Sequence, residues 1–382
     1  MANERIKIAL FKPYNARTTN SFYSGQHPVF RHLQKNYDYE ITYFIDDENV
    51  KFDTVNVKYI KRSKIKTLFH RVLRKVFKKY KWYWKIPYYK NLDFSKYDII
   101  IAEGIHYQLL DYFKHISYKV ILNDSMSRQY ILLKKQIDYL NKYFSNSLAV
   151  VVNDKIPILY QRNRIKMKNA VIGHSVQIKN IPFVKREGFR GNMISIGRLV
   201  PEKGFEYIIQ AIRILKKQHP EVKLDIYGDG ILREKLQRLI QANGLTNNIL
   251  LRRFLEYKQL LNKLGNYDLA LSHPLETSYI AEAFSMVNVE AMANGLPVIT
   301  SNCGGVRYVV KDKAIVTEQK DVSQIVKAIE DFIKNPEKIE KSSVEGRKYI
   351  EKNYSVEVIT KKWDEIIRKF LKSFYVKKTK YN

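Results

Sequence analysis

The chain reads as an α/β protein of two parallel-sheet domains, and three observations carry that reading. Short apolar runs recur along its 382 residues, separated by stretches with the three- and four-residue apolar spacing of amphipathic helices. Several runs are continuous rather than alternating, as in Ile99-Ile100-Ile101-Ala102, the pattern of strands covered on both faces. The chain is long for one domain and comfortable for two, and 45% hydrophobic residues supply a core for each.

In the first half, strands are expected at 6–11, 41–45, 98–102, 119–122 and 148–152, with helical spacing between several of them. The second half is more regular. A strand at 193–197 leads into a helix at 204–218, whose Ile208, Ile209, Ile212 and Leu215 share one face. A strand at 224–227 ends in Gly228-Asp229-Gly230, and a helix runs to Asn243. Then come a strand at 249–251, a helix at 257–264, a strand at 269–272, a helix bearing Glu290 and a strand at 298–300. Such alternation predicts a parallel sheet with right-handed crossovers. The break at 181–188 reads as the linker, giving an N-terminal domain over 1–182 and a second over 188–358.

Net charge is +30, of which residues 1–180 carry +19, with 33 Lys/Arg against 14 Asp/Glu. So positive a field favours polyanions: nucleic acid, an anionic membrane or phosphorylated substrates. One cysteine, Cys303, excludes an internal disulfide and suggests a reducing compartment. The N-terminus is expected to enter a strand directly rather than form a signal peptide. No apolar run approaches the ~18 residues of a membrane span.

Two segments carry the chemistry. Gly197-Arg198-Leu199…Glu202-Lys203-Gly204 lies between a strand and a helix. Backbone N–H groups and the helix dipole there already favour an anion. Arg198 can fork onto two phosphate oxygens, and Lys203 adds a point charge. The second segment holds Glu282-Ala283-Phe284-Ser285 and, eight positions after Glu282, Glu290. Glu282 is expected just before a helix and Glu290 inside it, and eight residues of helix rise about 12 Å. One carboxylate then meets a sugar, the other a ribose, and the N–H groups of Ala283, Phe284 and Ser285 face phosphate between them. The plainer reading makes Arg198 and Lys203 solvated basic residues, Glu282 a favourable charge at a helix start, and Glu290 an exposed side chain. The apolar neighbours of Glu290 (Val289, Ala291, Met292) speak against the last.

Together with Gly228-Asp229-Gly230 and Glu290-Ala291-Met292-Ala293-Asn294-Gly295-Leu296-Pro297-Val298, these segments resemble the retaining glycosyltransferases of family 4 over roughly residues 190–310. The resemblance implies a GT-B fold: two Rossmann-like domains, an interdomain cleft, and a C-terminal helix (359–382) crossing back to the first domain. It implies a hexose-type transfer with retention from a nucleoside-diphosphate sugar such as a UDP- or GDP-sugar to an acceptor hydroxyl. By matching motif, Arg198 and Lys203 bind the diphosphate, Glu282 the donor sugar and Glu290 the ribose, with Ala283, Phe284, Ser285 and Gly228 completing the donor site. The acceptor, a lipid-linked or other glycan, falls to the first domain. No metal cofactor is expected, because no Asp-x-Asp clamp or zinc spacing occurs.

Three departures stand out. Ser285 replaces the family's usual glycine, Asn123 stands where many relatives have histidine, and His174 occupies an Asn-Gly-Val-Asp-like turn. His174, His106, Asn123 and Gly25 are candidate cleft residues; both histidines also fit purely structural places. Residues 54–92 contain no Asp or Glu, and 58–90 hold 13 Lys/Arg. Apolar residues there recur with helical spacing and end in Trp82-Tyr83-Trp84. The segment suits an anionic membrane surface or a domain helix with a solvated basic face. The first reading places the protein in the cytoplasm, peripheral at the inner face of the membrane. A nucleic-acid role is disfavoured, since no recognised module appears. The alternatives to transfer are a nucleotide-sugar- or nucleic-acid-binding protein without activity, and an epimerase or phosphorylase on the same fold.

Overall fold

The computed structural model describes residues 5–12, 26–45, 56–61, 89, 92–103, 110–124, 134–278 and 280–378, with side chains up to 373. Gly25, His106 and most of the basic segment lie outside the described residues.

Strands β1 (Ile6–Phe11), β2 (Tyr39–Ile45), β3 (Asn56–Tyr59), β4 (Ile99–Glu103), β5 (Val120–Asp124), β6 (Leu148–Val151) and β7 (Lys168–Val171) form one sheet, ordered β3-β2-β1-β4-β5-β6-β7. Strands β8 (Asn192–Ile196), β9 (Lys223–Tyr227), β10 (Ile249–Arg252), β11 (Leu269–Leu271), β12 (Val298–Ser301) and β13 (Ile315–Thr317) form the other, ordered β10-β9-β8-β11-β12-β13. All the pairings are parallel. In each sheet the chain starts in the middle, winds outward, then returns to wind the other way. The strand order therefore reverses between β1 and β4 and between β8 and β11, where a doubly wound sheet opens a crevice at its carboxyl edge.

The central strands are the apolar runs that the sequence predicts. Strands β3, β7 and β13 are not legible in it, and all three are outer strands. β3 and β7 have largely exposed or half-buried side chains, including Lys58 and Lys168, so no buried run marks them.

One apolar cluster runs from the first sheet, through Ile8, Phe11, Phe44 and Val150, into Phe284, Val289 and Met292 of the second half. The two halves are thus packed against each other. A second cluster covers the far face of the second sheet beneath the helices Phe205–Leu215 and Val322–Lys334. The last helix, Val356–Lys378, returns to the first half. Its Trp363 is fully buried, donates its indole N–H to Gln26 (2.9 Å) and packs edge-on to Phe30. Asp364 accepts the Tyr39 hydroxyl proton at 2.7 Å.

The expected linker is fastened at Arg186, which is 3% exposed. Its guanidinium donates to the carbonyls of Tyr267, Leu264, Asn294 and Val184 and to the Asn294 amide oxygen. Burial lowers its pKa to about 10, so it stays charged at neutrality. Five donors are thereby matched to acceptors that would otherwise be desolvated without partners.

Candidate functional site

At the carboxyl end of β8 the chain turns through Gly197 and a short 3-10 helix, Pro201–Lys203, into Gly204. Gly204 has φ +63°, and a Cβ there would lie 2.1 Å from the His273 carbonyl oxygen. Only glycine permits this approach, and it sets Lys203 beside the loop that follows β11. Gly228, just after β9, acts as a spacer against that loop: its Cβ would lie 1.9 Å from the Gly197 oxygen. The visible role of Gly228 is thus close packing, and it does not line the cavity described below.

Glu282 lies on that opposite loop. Its backbone N–H faces Cys303 Sγ (3.4 Å), and its carbonyl accepts from Gly305 N–H (2.8 Å). Its carboxylate meets Lys203, with Nζ–Oε2 2.5 Å. The expectation that the helix begins directly after Glu282 is corrected here. The helix is Met286–Ala293, and the N-cap residue Ser285 has φ +62°, ψ +69°. Glu282 lies outside any helix or strand and Ala283 and Phe284 form a bend, so the 12 Å helical rise does not apply. Left-handed backbone costs a non-glycine residue roughly 1–2 kcal/mol, which explains why glycine suits this position. The Asn288 and Val289 N–H groups donate to the Ser285 carbonyl, leaving those of Met286 and Val287 without intrahelical acceptors.

These groups wall a cavity of about 330 Å³. Of the residues singled out from sequence, it brings together Lys203, Glu282, Ala283, Phe284, Ser285 and His174. Arg198 is not among its walls. Its side chain is 72% exposed, 3.7 Å from the Glu202 carboxylate. Glu290 is also absent from the walls. It is buried within its helix and accepts the Tyr257 hydroxyl proton at 2.9 Å. Burial raises its pKa to about 7, against the opposing hydrogen bond from Tyr257.

Sequence reasoning missed Ser195, Ser272 and His273, which end β8 and follow β11 on the two sides of the strand-order reversal. His273 Nε2 accepts the Lys320 backbone N–H (2.9 Å), and burial lowers its pKa to about 4. The ring is therefore neutral near pH 7, with its proton on Nδ1. Ser272 Oγ, Asn288 and Thr300 form a polar network with contacts of 2.8–3.0 Å beneath the helix start. The signal that would have found these residues is position: polar side chains directly after strands that flank the reversal.

The first sheet contributes a second polar edge. Lys12 and Glu103, just past β1 and at the end of β4, pair at 2.8 Å. Asn123, at the end of β5 and 1% exposed, has no hydrogen-bond partner for either amide atom among the described residues. His174 Nδ1 is likewise buried without a partner, and burial, then the Lys12 charge, lower its pKa to about 4. Its ring packs edge-on to Phe284 at 5.1 Å. Among the described residues no cluster of His, Cys, Asp and Glu has the makings of a metal site, and no helix is long and apolar enough to cross a membrane.

Comparison with known proteins agrees with this arrangement. Residues 179–349 match the family described as glycosyl transferases group 1. An uncharacterized glycosyltransferase of Haemophilus influenzae is 30% identical over 181 residues, covering 46% of this chain and 48% of that protein. The GDP-mannose-dependent alpha-(1-6)-phosphatidylinositol monomannoside mannosyltransferase of Mycolicibacterium smegmatis is 28% identical over 172 residues, covering 44% and 45%. The aligned regions thus span about half the length of these curated relatives. Among solved structures, Anabaena HepE in complex with UDP and glucose superposes over 96% of this chain and all of its own, with TM-score 0.68 at 14% identity. That likeness concerns the fold. The second half of the chain is similar in sequence to glycosyl transferases group 1, and the two sheets with their returning helix form a GT-B glycosyltransferase fold.

Proposed function

We propose that this protein transfers a hexose-type sugar from a nucleoside-diphosphate sugar to an acceptor hydroxyl, with retention, as a family 4-like enzyme. The observation that carries the reading is the Lys203–Glu282 pair, 2.5 Å apart at the strand-order reversal and next to the open N–H groups of Met286 and Val287. Lys203 and those N–H groups suit the diphosphate, and Glu282 suits hydroxyls of the donor sugar. Arg198 is exposed enough to swing onto the phosphates from outside. Charge develops on the leaving diphosphate as the anomeric C–O bond breaks, and preorganised donors stabilise it there. The acceptor oxygen forms the new bond to the anomeric carbon, and its proton passes to the leaving phosphate oxygen. Lys203 and the helix start supply this neutralisation without a metal. The ribose falls to Glu290 by the motif alone, and a ribose hydroxyl would there join or replace the Tyr257 hydroxyl as donor to the carboxylate.

Among the relatives and structural neighbours both bases occur. One acts with GDP-mannose, and HepE was solved with UDP. The acceptor side belongs to the edge bearing Asn123 and His174, whose unpartnered polar atoms suit hydroxyls of a glycan or lipid-linked glycan. Peripheral attachment to an anionic membrane through residues 58–84 completes the proposal, and nucleic acid has no part in it. Calorimetry with UDP, GDP and their sugars, followed by product analysis with membrane extracts, tests it. Release of nucleoside diphosphate with a glycosylated product supports transfer. Binding without turnover overturns it in favour of a non-catalytic receptor.

A further inference from the structure

Asn153 follows β6 in the first half and is 3% exposed. Its amide oxygen accepts from Lys155 N–H (2.9 Å) and Ile156 N–H (3.2 Å), fixing the start of the helix Lys155–Arg162. Its amide nitrogen donates to the Ala283 carbonyl (2.7 Å) in the other half. Ala283 directly follows Glu282, so this bond holds the peptide unit beside the residue that pairs with Lys203. The geometry leaves no slack. A Cβ on Gly305 would fall 2.5 Å from Asn153 Nδ2 and 2.4 Å from the Ala283 oxygen. The next residue, Phe284, is wedged between His174 and Tyr354 at 5.1 and 5.2 Å, and a Cβ on Gly173 would lie 2.7 Å from its ring.

We propose that Asn153 is a positioning residue through which the first half sets the Glu282 carboxylate. The segment from Glu282 to Phe284 belongs to no helix or strand. Glu282 is held within the second half by Cys303 and Gly305, whereas Ala283 and Phe284 also lean on Asn153 and His174 of the first half. Closure of the halves and presentation of Glu282 are therefore coupled, and a ligand that engages Glu282 favours closure to the same extent that closure favours the ligand. The catalytic meaning rests on the function proposed above; the mechanical coupling does not.

Two variants test it. Asn153→Ser keeps a hydroxyl that can cap the following helix but is too short to reach Ala283. Gly305→Ala keeps Asn153 and places a methyl group where its amide must lie. In both, amide exchange at Ala283, Phe284 and Ser285 in the ligand-free protein should accelerate about tenfold, the worth of one buried hydrogen bond, with exchange in Lys155–Arg162 unchanged. Turnover with the nucleotide sugar should fall by a similar factor, while affinity for free UDP or GDP holds. Unchanged exchange at these amides in both folded variants overturns the proposal. So does faster exchange confined to Lys155–Arg162, which would make Asn153 only a cap. If the wild-type protein binds no nucleotide sugar, the transfer reading fails and the exchange experiment still decides the coupling. If Asn153→Ser does not fold, Gly305→Ala decides it.

Discussion

The two sheets share a strand order, yet the ends of their central strands are furnished differently. Beyond β8 and β11, Lys203 and Glu282 meet across an open cavity beside free N–H groups of a helix start. Beyond β1 and β4, Lys12 and Glu103 pair at 2.8 Å, and among the described residues Asn123 and His174 carry buried polar atoms without partners. One edge is built from charged groups on two compact loops. The other keeps desolvated neutral groups unsatisfied, which costs stability and is tolerated where a ligand repays it. The contrast suggests that donor binding falls to the second half and acceptor binding to the first.

The largest expected effect tests whether buried charge in the second half is tuned for function rather than stability. Burial raises the pKa of Glu290 from 4.5 to about 7. Between those values the folded state holds a proton that the unfolded state has lost, so stability falls as pH rises through this window. Glu290→Gln should abolish that slope and stabilise the protein at pH 8 by up to about 3 kcal/mol. Denaturant unfolding of both proteins at pH 5 and 8 measures it. An equal slope in the variant would assign the titration elsewhere. Buried histidines act in the opposite sense. His27, His174 and His273 have lowered pKa values, and each costs stability as pH falls below 6.5.

A second experiment sets the two lysines against each other. Lys203→Met should weaken nucleoside-diphosphate binding by roughly 10- to 150-fold, the loss of a charge-assisted contact. Lys12→Met, at the corresponding place of the first sheet, should leave that affinity unchanged. Calorimetry on the pair distinguishes them, and equal losses would erase the proposed division.

The smallest effect sharpens the comparison from the other side. Asn123→Leu removes two unpartnered amide atoms without changing the volume much. It should raise stability by about 1–2 kcal/mol while lowering sugar transfer and sparing free nucleoside-diphosphate binding. A destabilised variant with full transfer would show that Asn123 is ordinary structure.

Much of the second half was legible in the chain. Its strands and helices follow one another with short connections, and the residues of each loop are neighbours in sequence. Motif therefore singled out Arg198, Lys203, Glu282 and Glu290, of which Lys203 and Glu282 line the cavity. Their sorting was not legible, because it depends on direction. Lys203 points into the cavity and Arg198 away from it. Glu290 turns to Tyr257, 33 positions earlier in the chain. The helix start at Met286 was misplaced because Ser285 adopts a left-handed conformation that serine does not announce.

The first half gave up its central strands for the same reason as the second: continuous apolar runs admit few other structures. Its outer strands and its polar edge were hidden, the former because exposed strands need no apolar run, the latter because Lys12, Glu103, Asn123 and His174 come from four separate segments. Composition and local spacing by themselves determined two wound sheets and the glycine-rich loop that carries Lys203, since burial periodicity and tight turns are local. Only the tertiary structure decided which carboxylate meets the lysine, which polar atoms stay unpartnered, and that Asn153 reaches across 130 residues to Ala283. Those depend on the packing of one half against the other, and no short stretch of sequence encodes the distance between two domains.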